Sequence, residues 1–156
     1  EMISTTYNNS IIVIDYAHTP EALSYVLNSI REIAKGKIIT LFGCGGDRDK
    51  EKRKTMGKIA NKFSDLIIVT DDNPRSESPS SIRKDILAGC SNAEEVSDRN
   101  KAINYAISKL QKNDFLLIAG KGHETFQTIG METLPFDDYT VAKESIRNLR
   151  KVREIH

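Results

Sequence analysis

The sequence predicts an α/β fold: a Rossmann-like, mostly parallel sheet flanked by helices on both faces, with room for one antiparallel edge strand. Three observations carry this. Four short apolar runs, SIIVID (10–15), KIITLF (37–42), LIIVT (66–70) and FLLIA (115–119), are separated by segments of helical periodicity. The runs IIVI, LIIV and FLLIA are continuously apolar rather than alternating, as in strands buried on both faces. Strands alternating with helices of this length imply right-handed crossovers and a parallel sheet.

The elements follow in order. After the first run, Thr19 can cap a helix over 20–34, and Pro20 suits its first position. Ala22, Leu23, Val26, Leu27, Ile30 and Ile33 recur at helical spacing on one face. Lys35-Gly36 is expected to end this helix with a C-terminal glycine. A charged helix is predicted over 50–62, with Met56, Ile59, Ala60 and Phe63 inward. A third spans 79–89 around Ile82, Ile86 and Leu87, and 93–97 reads as a weak strand. Ala102, Ile103, Ala106, Ile107 and Leu110 mark a helix over 99–111. Residues 125–130 suit an edge strand or hairpin arm. Asp137 or Asp138 can cap a last helix over 139–153, with Val141, Ile146 and Leu149 on its inner face.

Composition narrows the function. At 156 residues the chain is one domain, large enough for a core built from Ile, Leu, Val and Ala, since Trp is absent. Its 23 basic and 22 acidic residues leave a net charge of +1, so no global field steers it to nucleic acid or an anionic membrane. No apolar run approaches the roughly 20 residues of a membrane-spanning helix. The opening residues lack a basic stretch followed by an apolar one, which argues against a signal peptide. Cys44 and Cys90 have no metal-ligand spacing and read as reduced thiols of a cytoplasmic protein. The three histidines are far apart in sequence, which argues against a zinc site. The first residue is Glu rather than Met, so we expect a piece of a longer protein.

In a parallel sheet the carboxyl ends of the strands share one rim, where ligands bind. Each apolar run leads into a polar loop: Tyr16-Ala17-His18-Thr19-Pro20, Gly43-Cys44-Gly45-Gly46-Asp47-Arg48-Asp49-Lys50, Asp71-Asp72-Asn73-Pro74-Arg75, and Gly120-Lys121-Gly122-His123-Glu124. The glycine-rich loop lacks the G-K-[ST] ending of a P-loop; it is either a tight turn with solvated charges or a site for Arg48. Pro74 restricts Asn73 to extended geometry, so the turn aims Asn73 and Arg75 in defined directions. A guanidinium can grip a carboxylate bidentately while an amide adds a further bond. Such strings are more often surface turns, but three similar loops on one rim favour function. Glu124 can hold an ammonium, and His123 is expected to make a structural hydrogen bond. Asp15 can accept from a ribose hydroxyl and Tyr16 or His18 can pack on a base; each can equally be a helix-entry group.

The strings D-Y-A-H-T-P-E-A-L (15–23), G-C-G-G-D-R-D-K-x-K-R (43–53), T-D-D-N-P-R-S-E (70–77) and A-G-K-G-H-E (119–124) resemble the C-terminal domain of the Mur ligases. The likeness runs from about residue 10 to the end and is closest to the MurE type, the branch that adds meso-diaminopimelate. D-N-P-R is its most specific piece; lysine-adding relatives differ at the arginine. The resemblance implies one domain of a three-domain, ATP-dependent amide ligase of peptidoglycan precursor synthesis. The N-terminal domain of such an enzyme holds the UDP-sugar end of UDP-MurNAc-L-Ala-D-Glu. The central domain carries the P-loop and the Mg2+ ligands, so this domain alone is expected to be inactive. By the same resemblance Arg48, Asn73, Arg75, Gly120 and Glu124 bind the incoming amino acid, and Asp15, Tyr16 and His18 contact ATP. No residue of this chain is expected to be catalytic. Two alternatives stand beside it: a Mur-like or cyanophycin-synthetase-like ligase domain with another amino substrate, and a free-standing nucleotide- or metabolite-binding module.

Overall fold

Residues 2–155 are described by the computed structural model. The four apolar runs become β2 (Ser10–Asp15), β3 (Ile38–Phe42), β4 (Leu66–Val69) and β6 (Phe115–Ala119). With β1 (Met2–Tyr7) and β5 (Ala93–Glu95) they form one six-stranded sheet of order β1-β2-β6-β3-β4-β5. Every pairing is parallel except β1 with β2. β1 is therefore the antiparallel edge strand. Its turn onto β2 places Asn8 and Asn9 at positive φ (55° and 58°), as a tight hairpin requires.

All five positions of β3 and of β6 are buried, because helices cover both faces. α1 (Pro20–Ile33), α2 (Glu51–Phe63) and α3 (Pro79–Leu87) pack Leu23, Leu27, Met56, Ala60 and Ile86 onto Val13, Phe42, Val69 and Leu117. α4 (Arg99–Ser108) and α5 (Asp138–Ile155) pack Ala102, Ile103, Ile107, Ala142 and Ile146 onto Ile12, Ile14, Leu41 and Ile118 on the other face. Neighbouring strand residues thus alternate between two separate cores, as the period of a strand demands.

Local chemistry sets the helix ends. Thr19 Oγ1 accepts from the Ala22 N–H at 3.1 Å and Pro20 opens α1. The expected glycine C-cap is corrected: α1 closes on Ala34 in extended geometry. Gly36 is small for packing instead, since a Cβ there would stand 2.7 Å from the Asn113 carbonyl. At α5 the two acids divide their work. Asp137 accepts from the Tyr139 N–H at 3.1 Å, whereas Asp138 is wholly buried in an ion pair with Arg99. Residues 125–130 supply a hairpin arm: β7 (Phe126–Ile129) pairs antiparallel with β8 (Glu132–Pro135) in a small second sheet.

Two features position the site. β6 enters between β2 and β3 after the chain has already passed through β4 and β5. The carboxyl ends of β2, β6, β3 and β4 therefore lie side by side, at the kind of strand-order reversal where open α/β sheets bind ligands. The β7–β8 hairpin is then joined to the turn after β4. Arg75 N–H donates to Thr128 O at 3.0 Å and Gly130 N–H to Arg75 O at 2.6 Å.

Candidate functional site

The loops that follow β2, β3, β4 and β6 enclose a cavity of about 370 Å³. Tyr16, His18, Arg48, Asn73, Arg75, Gly120 and Glu124 line it together with Gly45, Asp49, Lys52 and Asp72. Seven of the eight residues singled out in the sequence thus share one space. Asp15 is not among the lining residues: its carboxylate turns onto the Ala17 N–H at 3.0 Å and shapes the start of the loop. A groove along α5 is of similar size, about 410 Å³, but a single helix lines it and no strand end points into it.

The turn after β4 is held from all sides. Arg75 sits at φ 52°, a left-handed conformation that side chains other than glycine adopt at a cost of ~1 kcal/mol or more. The β7 backbone bonds just described hold it there. Arg75 Nη1 donates to Gly46 O at 2.9 Å, and Gly46 N–H donates to Asn73 O at 2.8 Å. Among the described residues Arg75 Nε and Nη2 make no protein hydrogen bond, which leaves a side-on pair of donors suited to a carboxylate.

Asn73 is buried beside a buried cation. Lys121 Nζ, with its side chain wholly enclosed, donates to Phe126 O (2.6 Å), Asn73 Oδ1 (3.2 Å) and Glu124 Oε1 (3.4 Å). Thr128 N–H adds a second donor to Asn73 Oδ1 at 2.9 Å. Asn73 Nδ2 faces Glu124 Oε1 at 3.5 Å. Gly120 has φ 112°, and a Cβ there would lie 2.6 Å from Asp72 Oδ2, so glycine is what lets the Asp72 carboxyl reach the cavity. Burial pushes the Asp72 carboxyl up from its ordinary value, against the pull of Arg99 and Lys121.

The glycine-rich loop is fixed by charge. Arg53, wholly buried on α2, donates to Gly45 O at 3.1 Å, to Glu77 at 2.9 and 3.1 Å, and to Asp85 at 3.1 Å. Glu77 also accepts from the Asp47 N–H at 2.7 Å. Those hydrogen bonds, Arg53 first, bring the Glu77 carboxyl down to about 2. Hydrogen bonds from Ser76 likewise lower that of Asp47. Arg48 follows on the exposed shoulder of this loop, spending one nitrogen on Asp47 O at 2.9 Å. The rings of Tyr16 and His18, which also line the cavity, lie 4.5 Å apart with a 55° tilt, and Lys52 Nζ ties down His18 O at 2.8 Å.

Asp72, Lys121 and Lys52 escaped the sequence reading. A lysine flanked by glycines reads as a surface group, and only the carbonyl and amide acceptors brought in from β7 and the turn after β4 explain its burial. His123 is exposed and makes no side-chain hydrogen bond among the described residues, contrary to expectation. Cys44 is buried, and burial pushes its thiol up to about 12, so it is no nucleophile.

The cavity thus gathers the cations Arg48, Lys52 and Arg75 with the acids Asp49, Asp72 and Glu124, on the rim of a doubly covered α/β sheet. Cationic and acidic groups side by side suit a small zwitterionic ligand. The family follows from comparison: residues 1–122 match the Mur ligase, glutamate ligase domain, and the chain belongs to that family. A UDP-N-acetylmuramoyl-L-alanyl-D-glutamate--2,6-diaminopimelate ligase of Agrobacterium fabrum is 48% identical over 149 residues, which is 96% of this chain and 30% of the relative. Its counterpart from Clostridioides difficile is 52% identical over 142 residues, 88% of this chain and 29% of the relative. A solved structure of a ligase of that name superposes with a TM-score of 0.91 at 36% identity, covering 96% of this chain and 31% of that one. E. coli FolC in complex with ADP, at 16% identity and a TM-score of 0.60, shares the fold. The chain spans about 30% of the length of the curated relatives it matches. Among the described residues no helix is long and apolar enough to cross a membrane.

Proposed function

We propose that this chain is the amino-acid-binding domain of an ATP-dependent ligase that joins diaminopimelate to UDP-MurNAc-L-Ala-D-Glu in peptidoglycan precursor synthesis in the cytoplasm. The observation that carries the reading is the polarity of one cavity. Arg75 and Asn73 offer donors to a carboxylate, and Asp72 and Glu124, the latter 3.5 Å from Asn73 Nδ2, offer acceptors to an ammonium. The distal end of meso-diaminopimelate carries both groups on one carbon; lysine carries only the ammonium. Arg48 pairs with a second carboxylate, and the glycine at 120 admits the ligand against the backbone.

In this scheme ATP converts the peptide carboxylate to an acyl phosphate on the remainder of the enzyme. The amino group of the bound diaminopimelate then attacks the acyl carbon, phosphate leaves, and an amide forms. The chain's own residues orient the nucleophile by holding its far end, which is where binding energy accelerates a bimolecular step. Tyr16, His18 and Lys52 form the part of the rim offered to the nucleotide. Among the described residues no cluster of three or more His, Cys, Asp or Glu side chains suits a metal. The family resemblance places the Mg2+ that accompanies ATP on the rest of the enzyme.

The test is Arg75→Ala in the complete ligase. A charge-assisted bond is worth roughly 1.5–3 kcal/mol, so the KM for diaminopimelate should rise ~10- to 100-fold with kcat less affected. An unchanged KM would remove Arg75 from the site.

A further inference from the structure

An asparagine side chain can present either its oxygen or its NH2 to a ligand, and the two choices select opposite charges. In this structure the choice is made by what lies behind Asn73. Both groups that reach its Oδ1, the Lys121 ammonium at 3.2 Å and the Thr128 N–H at 2.9 Å, can only donate. Turning the amide over would place an NH2 against two donors in an interior where an unmet polar group is costly. The oxygen is therefore held inward and the NH2 outward, toward Glu124 and the cavity.

Lys121 is built for this. Its ammonium is fully enclosed, and its three N–H bonds have three acceptors: Phe126 O, Asn73 Oδ1 and Glu124 Oε1. The Phe126 ring lies 5.9 Å away on another side. A buried charge survives only when paired and hydrogen-bonded, and here each partner belongs to a different part of the site. One is the turn after β4, one the loop after β6, and one the first residue of β7.

We propose that Lys121, acting with the Thr128 amide, is the positioning residue that sets the polarity of the amino-acid site. It turns Asn73 into a donor for a distal carboxylate and holds Glu124 as the acceptor for the neighbouring ammonium. Lys121 itself does not touch the ligand. The inference deepens the proposed function and rests on it.

The test compares Lys121→Met and Lys121→Arg in the complete ligase, assayed with diaminopimelate and with lysine. A site that reads a polar group loses roughly tenfold or more in discrimination when that reading is disordered. In Lys121→Met the KM for diaminopimelate should rise about that much, and the preference for diaminopimelate over lysine should fall in parallel. The KM for ATP should stay put, and Lys121→Arg, which keeps a buried donor, should recover much of the preference. Unaltered preference in Lys121→Met would overturn the proposal. So would a fall in kcat together with a rise in every KM, which is what a merely structural residue gives. Should Lys121→Met fail to fold, the wild-type chain still decides the point by NMR. A through-hydrogen-bond coupling between the Thr128 amide nitrogen and the Asn73 side-chain carbonyl carbon is expected, and its absence would overturn the orientation. Wild-type activity with diaminopimelate is read separately; its failure would sink the proposed function rather than the locked amide.

Discussion

Arg99 and Asp138 form a bidentate ion pair, at 2.7 and 2.8 Å, with both side chains entirely enclosed. The same guanidinium donates to Asp71 O at 3.0 Å and Ala119 O at 3.3 Å. One side chain from the first turn of α4 thus ties the last residue of β6, the first residue of the turn after β4 and the start of α5 into one corner. This corner adjoins the cavity through Asp72 and Gly120, which follow Asp71 and Ala119 in the chain and line it.

Breaking that pair should be expensive. Arg99→Met leaves Asp138 as an unpaired buried carboxylate, and Asp138→Asn leaves Arg99 short of its anion. Each should cost about 3–5 kcal/mol of stability. The double variant should cost less than the sum, because the stranded charge is then gone. Urea unfolding of the four proteins checks this; strict additivity would mean that the two side chains are not coupled.

Gly120→Ala tests the approach of Asp72 to the cavity. The added methyl group meets Asp72 Oδ2 at 2.6 Å on a backbone with φ 112°. Strain and overpacking together predict a loss of about 2–4 kcal/mol. The expected binding effect is weaker retention of the amino acid, seen as a raised KM in the complete ligase. A variant as stable and as tight as wild type would mean that the loop after β6 is free to move aside.

Glu77 predicts a pH dependence. Its carboxyl is lowered from 4.5 to about 2 by Arg53 and the Asp47 N–H, so the folded state prefers it ionised. The stability it contributes is present above pH 4.5 and lost as pH falls toward 2. Glu77→Gln should therefore melt below wild type at pH 7, and the gap should close on acidification to pH 2. Melting curves across that range decide the matter, and a gap independent of pH would contradict the assignment.

Much of this was legible in the chain itself. The four central strands announce themselves as continuous apolar runs, and helices α1 to α5 as stripes between them, because burial on two faces and on one face leave different periods. The loops on the rim were legible because Gly, Pro and charged residues punctuate the ends of those runs. β1 was missed: it lies on the sheet edge, and Ser4, Thr5 and Thr6 make half of its six residues polar, so no apolar run marks it. β8 was missed because all four of its residues are exposed, so no apolar pattern marks it. The buried charges were the least visible. Arg99 finds its partner 39 residues away, Arg53 at 24 and 32, and Lys121 reaches Asn73 across 48, so nothing local distinguishes them from solvated residues. Asp72 stood in plain view within D-D-N-P-R, but only the packing of Gly120 shows which of the two aspartates turns to the cavity.

The central claim is that the rim cavity reads the distal carboxylate and ammonium of diaminopimelate. An amide-resolved NMR titration of this chain with meso-diaminopimelate, with L-lysine as control, tests it most directly. The account predicts shifts confined to the 43–50, 71–77 and 120–124 loops, produced by diaminopimelate and not by lysine. An equal response to both amino acids, or a response to diaminopimelate elsewhere on the surface, would contradict it.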